Sequence, residues 1–315
     1  MNLKLITLSV LTVGLAATCF AAGPSHKPKD LYGNYSEKVQ AATAKMHDYF
    51  RQHPDHTRDS LLHHVYSQLS EDGQVASASK LPQRRRTPLS GDALYKLGRK
   101  SALVYAGMVA NPELKMDTVY TNASAVAITA DGICATNFHV VADILLGAGL
   151  DYKKPNEMAA LVMDYDGNVY PVEAILYADP VNDFSIIKVD TGGRKLTPAP
   201  LRSDAGPGTQ VYCLSNPSGA YFHLTDGIIS NCTSTTNERN GQTRYVCEIT
   251  ADYGRGASGG PIFDNCGNLV GIVSQTYSLY AQPEQFRNFQ MAYKQTVPAF
   301  LIRDCFTDVT PSRRK

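Results

Sequence analysis

The sequence predicts an all-β protein, a sandwich or a barrel, that follows a small helical N-terminal region. From about residue 100 onward, short apolar runs follow one another at close and fairly even spacing, each bounded by Gly, Asn, Asp or Pro. This pattern is typical of many short strands that pack into a sandwich or barrel. A last periodic stretch, from Val297 to Phe306, predicts a terminal helix. The apolar runs are residues 102–109, 124–129, 159–163, 185–189, 210–214, 227–230, 245–249, 269–274 and 289–293.

The first 21 residues have the features of a secretory signal peptide. A short basic start is followed by an almost uncharged apolar run from Leu5 to Ala17 and then by small residues, which predicts cleavage after Ala21. The run is shorter than the ~20 residues that span a bilayer, so no membrane span is expected after signal removal. We therefore expect an exported protein, either secreted or periplasmic.

Residues 22–90 are predicted to form a helical N-terminal region and a linker. Apolar residues recur at helical spacing, for example at Val39, Ala42 and Met46. The linker is rich in turn-forming and charged residues and includes Arg84-Arg85-Arg86. An inhibitor, a docking element and a propeptide are all compatible with this region. The strand-rich domain is expected over residues 91–306, with a polar tail at 307–315.

Charge and composition argue against several classes of function. The 315 residues include 30 Lys+Arg and 29 Asp+Glu, and a net charge of +1 lacks the basic excess of a nucleic-acid-binding surface. Most histidines lie in the N-terminal region, but neither the pair His53 and His56 nor the pair His63 and His64 has the i,i+4 spacing of a preformed metal site. We expect no metal and no organic cofactor.

Three local motifs carry the residue types of nucleophilic catalysis. The run Gly-Arg-Gly-Ala-Ser-Gly-Gly-Pro at residues 254–261 can turn sharply, so that the amides of Gly256 and Ser258 face an oxyanion beside the Ser258 hydroxyl. His139 ends an apolar strand, and Asp183 precedes another. Taken alone, the glycine-rich run is an ordinary turn, His139 is a structural histidine, and Asp183 is a carboxylate at the start of a strand. Their order along the chain is that of the chymotrypsin triad, in which the carboxylate orients the imidazole that activates the serine.

With these motifs in this order, residues 95–304 resemble a trypsin-like serine peptidase, closest to the bacterial HtrA/Deg-type protease domain. The resemblance implies two packed six-stranded β-barrels with the triad in the cleft between them. It also implies a bond from the Ser274 region to Asp183, and protein or peptide substrates. No PDZ domain is expected, because few residues follow the terminal helix. The similar segments are Asp131–Val141, Asn182–Val189, Val211–Gly219, Gly227–Ser230, Gly256–Pro261 and Leu269–Ser274.

The predicted function is therefore an exported serine endopeptidase that forms an acyl-enzyme on Ser258. The residue before this serine is Ala257, where trypsin-like relatives have Asp, so activation by a new N-terminus that pairs with that Asp is not expected. The alternative from another class is a catalytically silent protease-like binding or interaction module, because a fold alone does not guarantee activity. An esterase that uses the same triad is a third hypothesis. The oligomeric state is not predicted.

Because an exported protein is in an oxidising compartment, we expect disulfides among the six cysteines that follow the signal peptide. Cys232 and Cys247 flank a predicted hairpin with its turn near Asn240-Gly241, so the two can meet across adjacent strands. Trypsin-like relatives carry a bridge in roughly the region of Cys213 and Cys266. The resemblance thus implies that pair, which leaves Cys134 with Cys305.

The resemblance also suggests a specificity. Asp252 lies six residues before Ser258, the spacing at which trypsin-type enzymes carry the carboxylate at the floor of the primary pocket. A buried carboxylate there favours Arg or Lys on the acyl side of the cut. Three features oppose this specificity. Thr276 stands where trypsin-like pockets usually have Gly and can narrow the entrance, and Arg255 can neutralise Asp252. HtrA-type relatives, moreover, mostly prefer small aliphatic residues before the cut. With basic specificity, residues 84–86 become a self-cleavage site.

Overall fold

The computed structural model describes residues 33–56, 79–111, 116–146 and 158–306, together with Val75 and Ser77. Six antiparallel strands close into a first barrel in the order β1-β2-β3-β6-β5-β4. The predicted signal peptide, the second predicted helical stretch around residues 62–69 and the polar tail lie outside the described residues. The strands are β1 (Ala102–Asn111), β2 (Met116–Ala127), β3 (Ile133–Thr136), β4 (Met158–Met163), β5 (Val169–Asp179) and β6 (Phe184–Val189).

Six further strands close into a second barrel, in the order β10-β11-β12-β9-β8-β7. The predicted all-β fold with two six-stranded barrels is confirmed. Two hairpins, β8–β9 and β11–β12, are longer than their apolar runs because their outer halves are exposed to solvent. The strands are β7 (Gln210–Ser215), β8 (His223–Thr236), β9 (Thr243–Ile249), β10 (Pro261–Asp264), β11 (Leu269–Gln282) and β12 (Arg287–Pro298).

Strands at the junction of the barrels are apolar on both faces, because one face lines the interior of a barrel and the other packs against the neighbouring barrel. In β1, Leu103 and Tyr105 point into the first barrel, whereas Val104 joins an inter-barrel cluster. This cluster is formed by buried residues of both barrels and of the terminal helix α4 (Ala299–Asp304), which lies within the predicted stretch 297–306. Strands buried on both faces give continuous apolar runs rather than alternating ones. The inter-barrel cluster includes Val104, Ile186, Phe263, Leu269, Ile272 and Ile302.

The N-terminal helix α1 (Tyr35–Gln52) packs against the first barrel. Met46 is fully buried in a cluster with Met108 and Leu161. The ammonium groups of Lys38 and Lys45 donate hydrogen bonds to carbonyl oxygens in the turn between β4 and β5. Helix α1 is thus anchored by burial on one side and by lysine contacts at its edge.

The linker before the barrels lies on the second barrel. The Arg85 amide donates to Asn268 Oδ1 at 2.7 Å, and Asn268 Nδ2 donates to the Arg85 carbonyl at 3.0 Å. Four residues on, the Leu89 amide donates to the Asn265 carbonyl at 2.8 Å. A short helix, α2 (Gly91–Gly98), then leads into β1. The tri-arginine segment is therefore held through its backbone rather than presented as an extended free strand.

The predicted bridge between Cys232 and Cys247 is confirmed. The two residues lie opposite each other on β8 and β9, with their Cα atoms 4.1 Å apart. The other four described cysteines are free thiols, so the pairings Cys213–Cys266 and Cys134–Cys305 are wrong. Cys213 lies opposite Ile262 on β10, whereas Cys266 lies beyond the end of that strand in the following turn.

The second wrong pair is separated by the packing of the barrels. Cys134 is buried inside the first barrel, whereas Cys305 caps α4 and belongs to the inter-barrel cluster. The two thiols therefore belong to different apolar clusters. Burial raises the pKa of each thiol to about 12, which makes both poor nucleophiles.

We expect Met46→Ala to lower the free energy of unfolding by about 2–5 kcal/mol, because it leaves a cavity between α1 and the first barrel. Gln40→Ala, at an exposed position of the same helix, should change it by less than about 0.5 kcal/mol. Urea denaturation followed by circular dichroism measures both values. Equal small changes in the two variants would show that α1 contributes nothing to the stability of the barrels.

Candidate active site

The two barrels bring His139, Asp183 and Ser258 together. His139 is the second residue of helix α3 (Phe138–Leu146), directly after β3, and Asp183 directly precedes β6. Ser258 comes from the second barrel, in the loop between β9 and β10. His139 Nε2 lies 3.0 Å from Ser258 Oγ, and His139 Nδ1 lies 2.9 and 3.0 Å from the two Asp183 carboxylate oxygens. An unbroken chain of hydrogen bonds therefore joins carboxylate, imidazole and hydroxyl.

Three further donors fix Asp183. Ser274 Oγ donates to Oδ2 at 2.6 Å, the bond that the family resemblance implies. The His139 amide donates to Oδ1 at 3.1 Å, and Asn137 Nδ2 donates to the Asp183 carbonyl at 2.8 Å. The residue adopts φ +58°, in the left-handed region that aspartate tolerates better than most residues. These contacts hold the carboxylate in a single orientation toward the imidazole.

The same contacts keep Asp183 ionised. Burial by itself raises the pKa of this carboxyl, but hydrogen bonds from the His139 ring, Ser274 and the His139 amide outweigh burial and hold the pKa below its ordinary value. A carboxyl whose pKa is lowered by folding stabilises the protein above its unfolded pKa, and this contribution is lost as the pH falls through the folded pKa. At neutral pH, Asp183 is therefore an anion that can hold the proton on His139 Nδ1.

Two asparagines that sequence reasoning missed support this arrangement. Asn137 binds the Asp183 carbonyl, and Asn182 accepts from the Tyr245 amide of β9 at 2.9 Å while its own Nδ2 donates to Asp179 at 2.8 Å. Asn182 thus ties the loop before β6 to the second barrel. Asn182 directly precedes Asp183 and Asn137 lies two residues before His139, and this proximity is the sequence signal that could have pointed to them. In the structure both are buried.

The nucleophile loop requires its glycines. Gly256 has φ +88° and Gly259 has φ +78°, a conformation that L side chains rarely adopt. A Cβ at position 259 would lie 2.2 Å from the Ser124 carbonyl oxygen. The Ser124 amide, on β2 of the first barrel, donates to the Ser258 carbonyl at 2.7 Å. Close backbone contact between the barrels therefore excludes a side chain at position 259 and fixes Ser258.

The amides of Gly256 and Ser258 donate no hydrogen bond within the described part of the chain. The preceding carbonyl, of Arg255, accepts from the Ser218 amide at 2.8 Å. Because a trans peptide points its N–H opposite to its C=O, this bond turns the Gly256 amide away from Ser218. In this arrangement the two amides can donate hydrogen bonds to an anionic oxygen next to the Ser258 hydroxyl.

The structure corrects the expectation for Asp252. Its carboxylate is 81% exposed and lies 2.8 Å from Lys294 Nζ on β12, so it is not a buried group at the floor of a pocket. The hydrogen bond from Lys294 lowers the pKa of Asp252, and Lys294, not Arg255, is its cationic partner. Thr276 is exposed on β11, opposite Lys294. Within the loop, Asp252 faces outward and the next residue, Tyr253, faces inward.

Of the two histidine pairs, His53 and His56 make local contacts, whereas His63 and His64 lie outside the described residues. His56 Nδ1 lies 2.7 Å from the Tyr49 hydroxyl, and His53 stacks on the Tyr49 ring. Among the described residues, no group of three or more His, Cys, Asp or Glu is placed to hold a metal ion. In the same part of the chain, no helix has the length and apolar character to cross a membrane.

Residues 123–272 match the family model of the trypsin-like peptidase domain. This stretch, which contains His139, Asp183 and Ser258, is thus similar to a trypsin-like peptidase domain, and proteases of the HtrA/Deg type are among the similar proteins. The chain is 30% identical over 152 residues to "Protease Do-like 5, chloroplastic" of Arabidopsis thaliana. The aligned residues cover 47% of this chain and 46% of that protein.

A bacterial relative is also similar in sequence, and a solved structure has the same fold. The "Probable periplasmic serine endoprotease DegP-like" of Pseudomonas fluorescens is 29% identical over 158 residues, 49% of this chain and 29% of that protein. The chain thus spans less than half the length of these curated relatives. The crystal structure of Deg5 has the same fold, with a TM-score of 0.50 and 22% identity over 69% of this chain and 94% of that chain.

We expect Ser274→Ala to raise the pKa of Asp183 toward its ordinary value, since one hydrogen bond to the ionised form is removed. At neutral pH the variant should lose about 1.5–3 kcal/mol of unfolding free energy. The difference from the parent should begin to shrink below about pH 4, where the carboxyl of the variant becomes protonated, and should vanish only below the lowered pKa of the parent carboxyl. Urea denaturation between pH 3 and pH 7, with the exposed Ser278→Ala as control, measures it, and a loss independent of pH would contradict this account.

Proposed function

We propose that the protein is an exported serine endopeptidase that hydrolyses peptide bonds through an acyl-enzyme on Ser258. The observation that carries this proposal is the unbroken hydrogen-bond chain from Asp183 through His139 to Ser258. It lies beside the amides of Gly256 and Ser258, which donate no hydrogen bond to the described residues. Serine is a weak nucleophile at neutral pH, and it becomes effective when an oriented imidazole takes its proton. The relatives named as serine proteases support the same class of reaction.

In the proposed reaction each group has its own step. Ser258 Oγ attacks the carbonyl carbon of the scissile bond while His139 Nε2, 3.0 Å away, takes the hydroxyl proton. The negative charge that forms on the carbonyl oxygen is bound by the amides of Gly256 and Ser258. His139 then donates its proton to the leaving amine, and the acyl group remains on Ser258. A water molecule, deprotonated by His139, cleaves the ester and restores the hydroxyl.

An open strand edge next to Ser258 supports a peptide substrate. On one edge of β11, strand β10 pairs only with residues Leu269–Ile272. On the other edge, β12 pairs with residues Gly271–Gln282. From Ser274 onward, the edge on the side of β10 has no strand partner within the described ranges. An extended peptide can add to such an edge as a further strand, with its main chain bound by backbone hydrogen bonds. A small ester has no main chain to use that edge, which makes an esterase the weaker hypothesis.

Export is supported by three observations. The first 21 residues have the pattern of a signal peptide. The bacterial relative is named as periplasmic. The bridge between Cys232 and Cys247 belongs in an oxidising compartment, because cytosolic thiols are kept reduced. Together they favour a secreted or periplasmic enzyme.

We expect Ser258→Ala to lower kcat for casein or a peptide pool on the order of 10⁶-fold, because both nucleophile and acyl-enzyme are lost. Asp183→Asn should lower it about 10⁴-fold, because the amide leaves His139 in the wrong tautomer. Gln40→Ala, at an exposed position of α1, should match the parent.

A fluorophosphonate probe separates this function from a silent binding module. The parent should be labelled on Ser258, and labelling should be absent in Ser258→Ala. Hydrolysis by Ser258→Ala at the parent rate would overturn the assignment of the nucleophile. A folded parent that neither reacts with the probe nor cleaves casein would be a protease-like module without turnover.

A further inference from the structure

Tyr35, the first residue of α1, packs against the loop 216–222, which joins β7 to β8. The centre of its ring is 5.1 Å from that of Phe222 and 5.9 Å from that of Tyr221. Phe222 is only 2% exposed and belongs to the inter-barrel cluster, against which Tyr35 also packs. Tyr35 precedes the stretch 123–272 that matches the family model, so the N-terminal region adds this contact to the barrels.

The same loop holds the peptide unit before Gly256. The Ser218 amide donates to the Arg255 carbonyl at 2.8 Å, and the Ser218 hydroxyl donates to the same oxygen at 3.3 Å. A Cβ at position 256 would lie only 2.9 Å from the Ser218 nitrogen, so the loop and Gly256 are in close contact. Because the Gly256 N–H points opposite to the Arg255 carbonyl, a shift of Ser218 would turn this amide.

The loop needs support from its surroundings, because its backbone is strained at two residues. Ser218 has φ +46° and Phe222 has φ +54°, in the left-handed region that residues with a side chain seldom adopt. Such conformations persist only where surrounding contacts hold them. The Phe222 amide donates to Asn216 Oδ1 at 2.9 Å. The Phe222 ring contacts those of Tyr35 and Tyr165, whose centres lie 5.1 and 5.2 Å away.

Tyr35 is itself fixed by the turn between β4 and β5. Its ring meets the Tyr165 ring edge-on, with the centres 5.3 Å apart. The Lys38 ammonium lies 4.8 Å from the centre of the Tyr35 ring and donates to the Tyr165 carbonyl. The Arg99 guanidinium lies 4.0 Å from the centre of the Tyr165 ring. Cations near aromatic faces are attracted to them, so the start of α1 is held in one place against Phe222.

We propose that Tyr35 is a positioning residue for the oxyanion hole, the pair of amides of Gly256 and Ser258. This inference rests on the endopeptidase function proposed above. The Tyr35 ring holds Phe222, and Phe222 holds the loop in its strained form. The loop, through Ser218, gives the Gly256 amide its direction. Because Tyr35 acts through the loop, its loss weakens binding of the transition state, while ground-state binding of the substrate is unchanged.

The test compares Tyr35→Ala with Tyr35→Phe and Gln40→Ala on one peptide that the parent hydrolyses. Active sites are counted by fluorophosphonate labelling taken to completion, so unfolded protein does not enter kcat. Tyr35→Ala should lower kcat about tenfold to a hundredfold, because a misdirected donor costs less than a deleted one, and should change KM less than about twofold. Tyr35→Phe, which keeps the ring, and Gln40→Ala, at an exposed position of α1, should match the parent. If Tyr35→Ala does not fold, Tyr35→Leu replaces it, with the same expected direction.

A trifluoromethyl ketone analogue of the peptide separates the oxyanion hole from the rest of the site. Ser258 Oγ adds to the ketone carbon and leaves an oxyanion in the hole, with the hydroxyl proton on His139, whereas the corresponding alcohol binds without an oxyanion. Tyr35→Ala should weaken binding of the ketone by the factor that kcat/KM loses and leave binding of the alcohol unchanged. The pH dependence of kcat/KM should remain that of the parent, because the contacts of His139 are untouched.

An unchanged kcat in Tyr35→Ala would overturn this inference. So would an equal loss in Tyr35→Phe, or equal weakening of the ketone and the alcohol. In each of these cases the parent still hydrolyses the peptide, so the endopeptidase proposal stands. A folded parent that hydrolyses no peptide and is not labelled by the fluorophosphonate overturns the proposed function, and this inference with it.

Discussion

The candidate site depends on the hydrogen bonds that Ser124 makes across the barrel junction. His139 and Asp183 belong to the first barrel and Ser258 to the second. The distance from His139 to Ser258 therefore stays constant only if the two barrels keep one position relative to each other. The buried Ser124 donates its amide to the Ser258 carbonyl, and its hydroxyl accepts from the amide and side chain of Asn216. Asn216 in turn donates to the Leu103 carbonyl at 3.0 Å. A buried network with all of these groups paired favours one relative placement of the barrels and hence one triad geometry.

The parts of the site that the sequence predicts are those that local chemistry determines. Ser258 follows from a run of glycines whose positive φ angles are required at that turn, and His139 and Asp183 follow from polar residues at the ends of apolar strands. The direction of Asp252 could not be predicted in this way. It depends on Lys294, which is 41 residues beyond Tyr253. Spacing along the chain gives the position of a residue in a loop but not the side of the loop that it faces.

The same distinction separates the correct from the incorrect fold predictions. The apolar runs indicated most of the strands, but they missed β5 and the buried strands β3 and β10, which are only four residues long. The outer halves of β11 and β12 are exposed. The bridge in the β8–β9 hairpin could be predicted because antiparallel register brings symmetric positions opposite each other. The pair of Cys134 and Cys305 could not be judged, since it depends on which apolar cluster buries each thiol.

The segments before β1 also make long-range contacts with the two barrels. Helix α1 buries Met46 against the first barrel, and the linker binds Asn268 of the second barrel through both backbone groups of Arg85. Removal of residues 22–86 would expose the apolar surface around Met108 and leave the buried Asn268 amide without the Arg85 carbonyl. Cleavage within residues 84–86 also requires an extended backbone in a protease cleft, which the bonds to Asn268 oppose. Among an inhibitor, a propeptide and a docking element, these contacts favour a docking element that remains with the barrels.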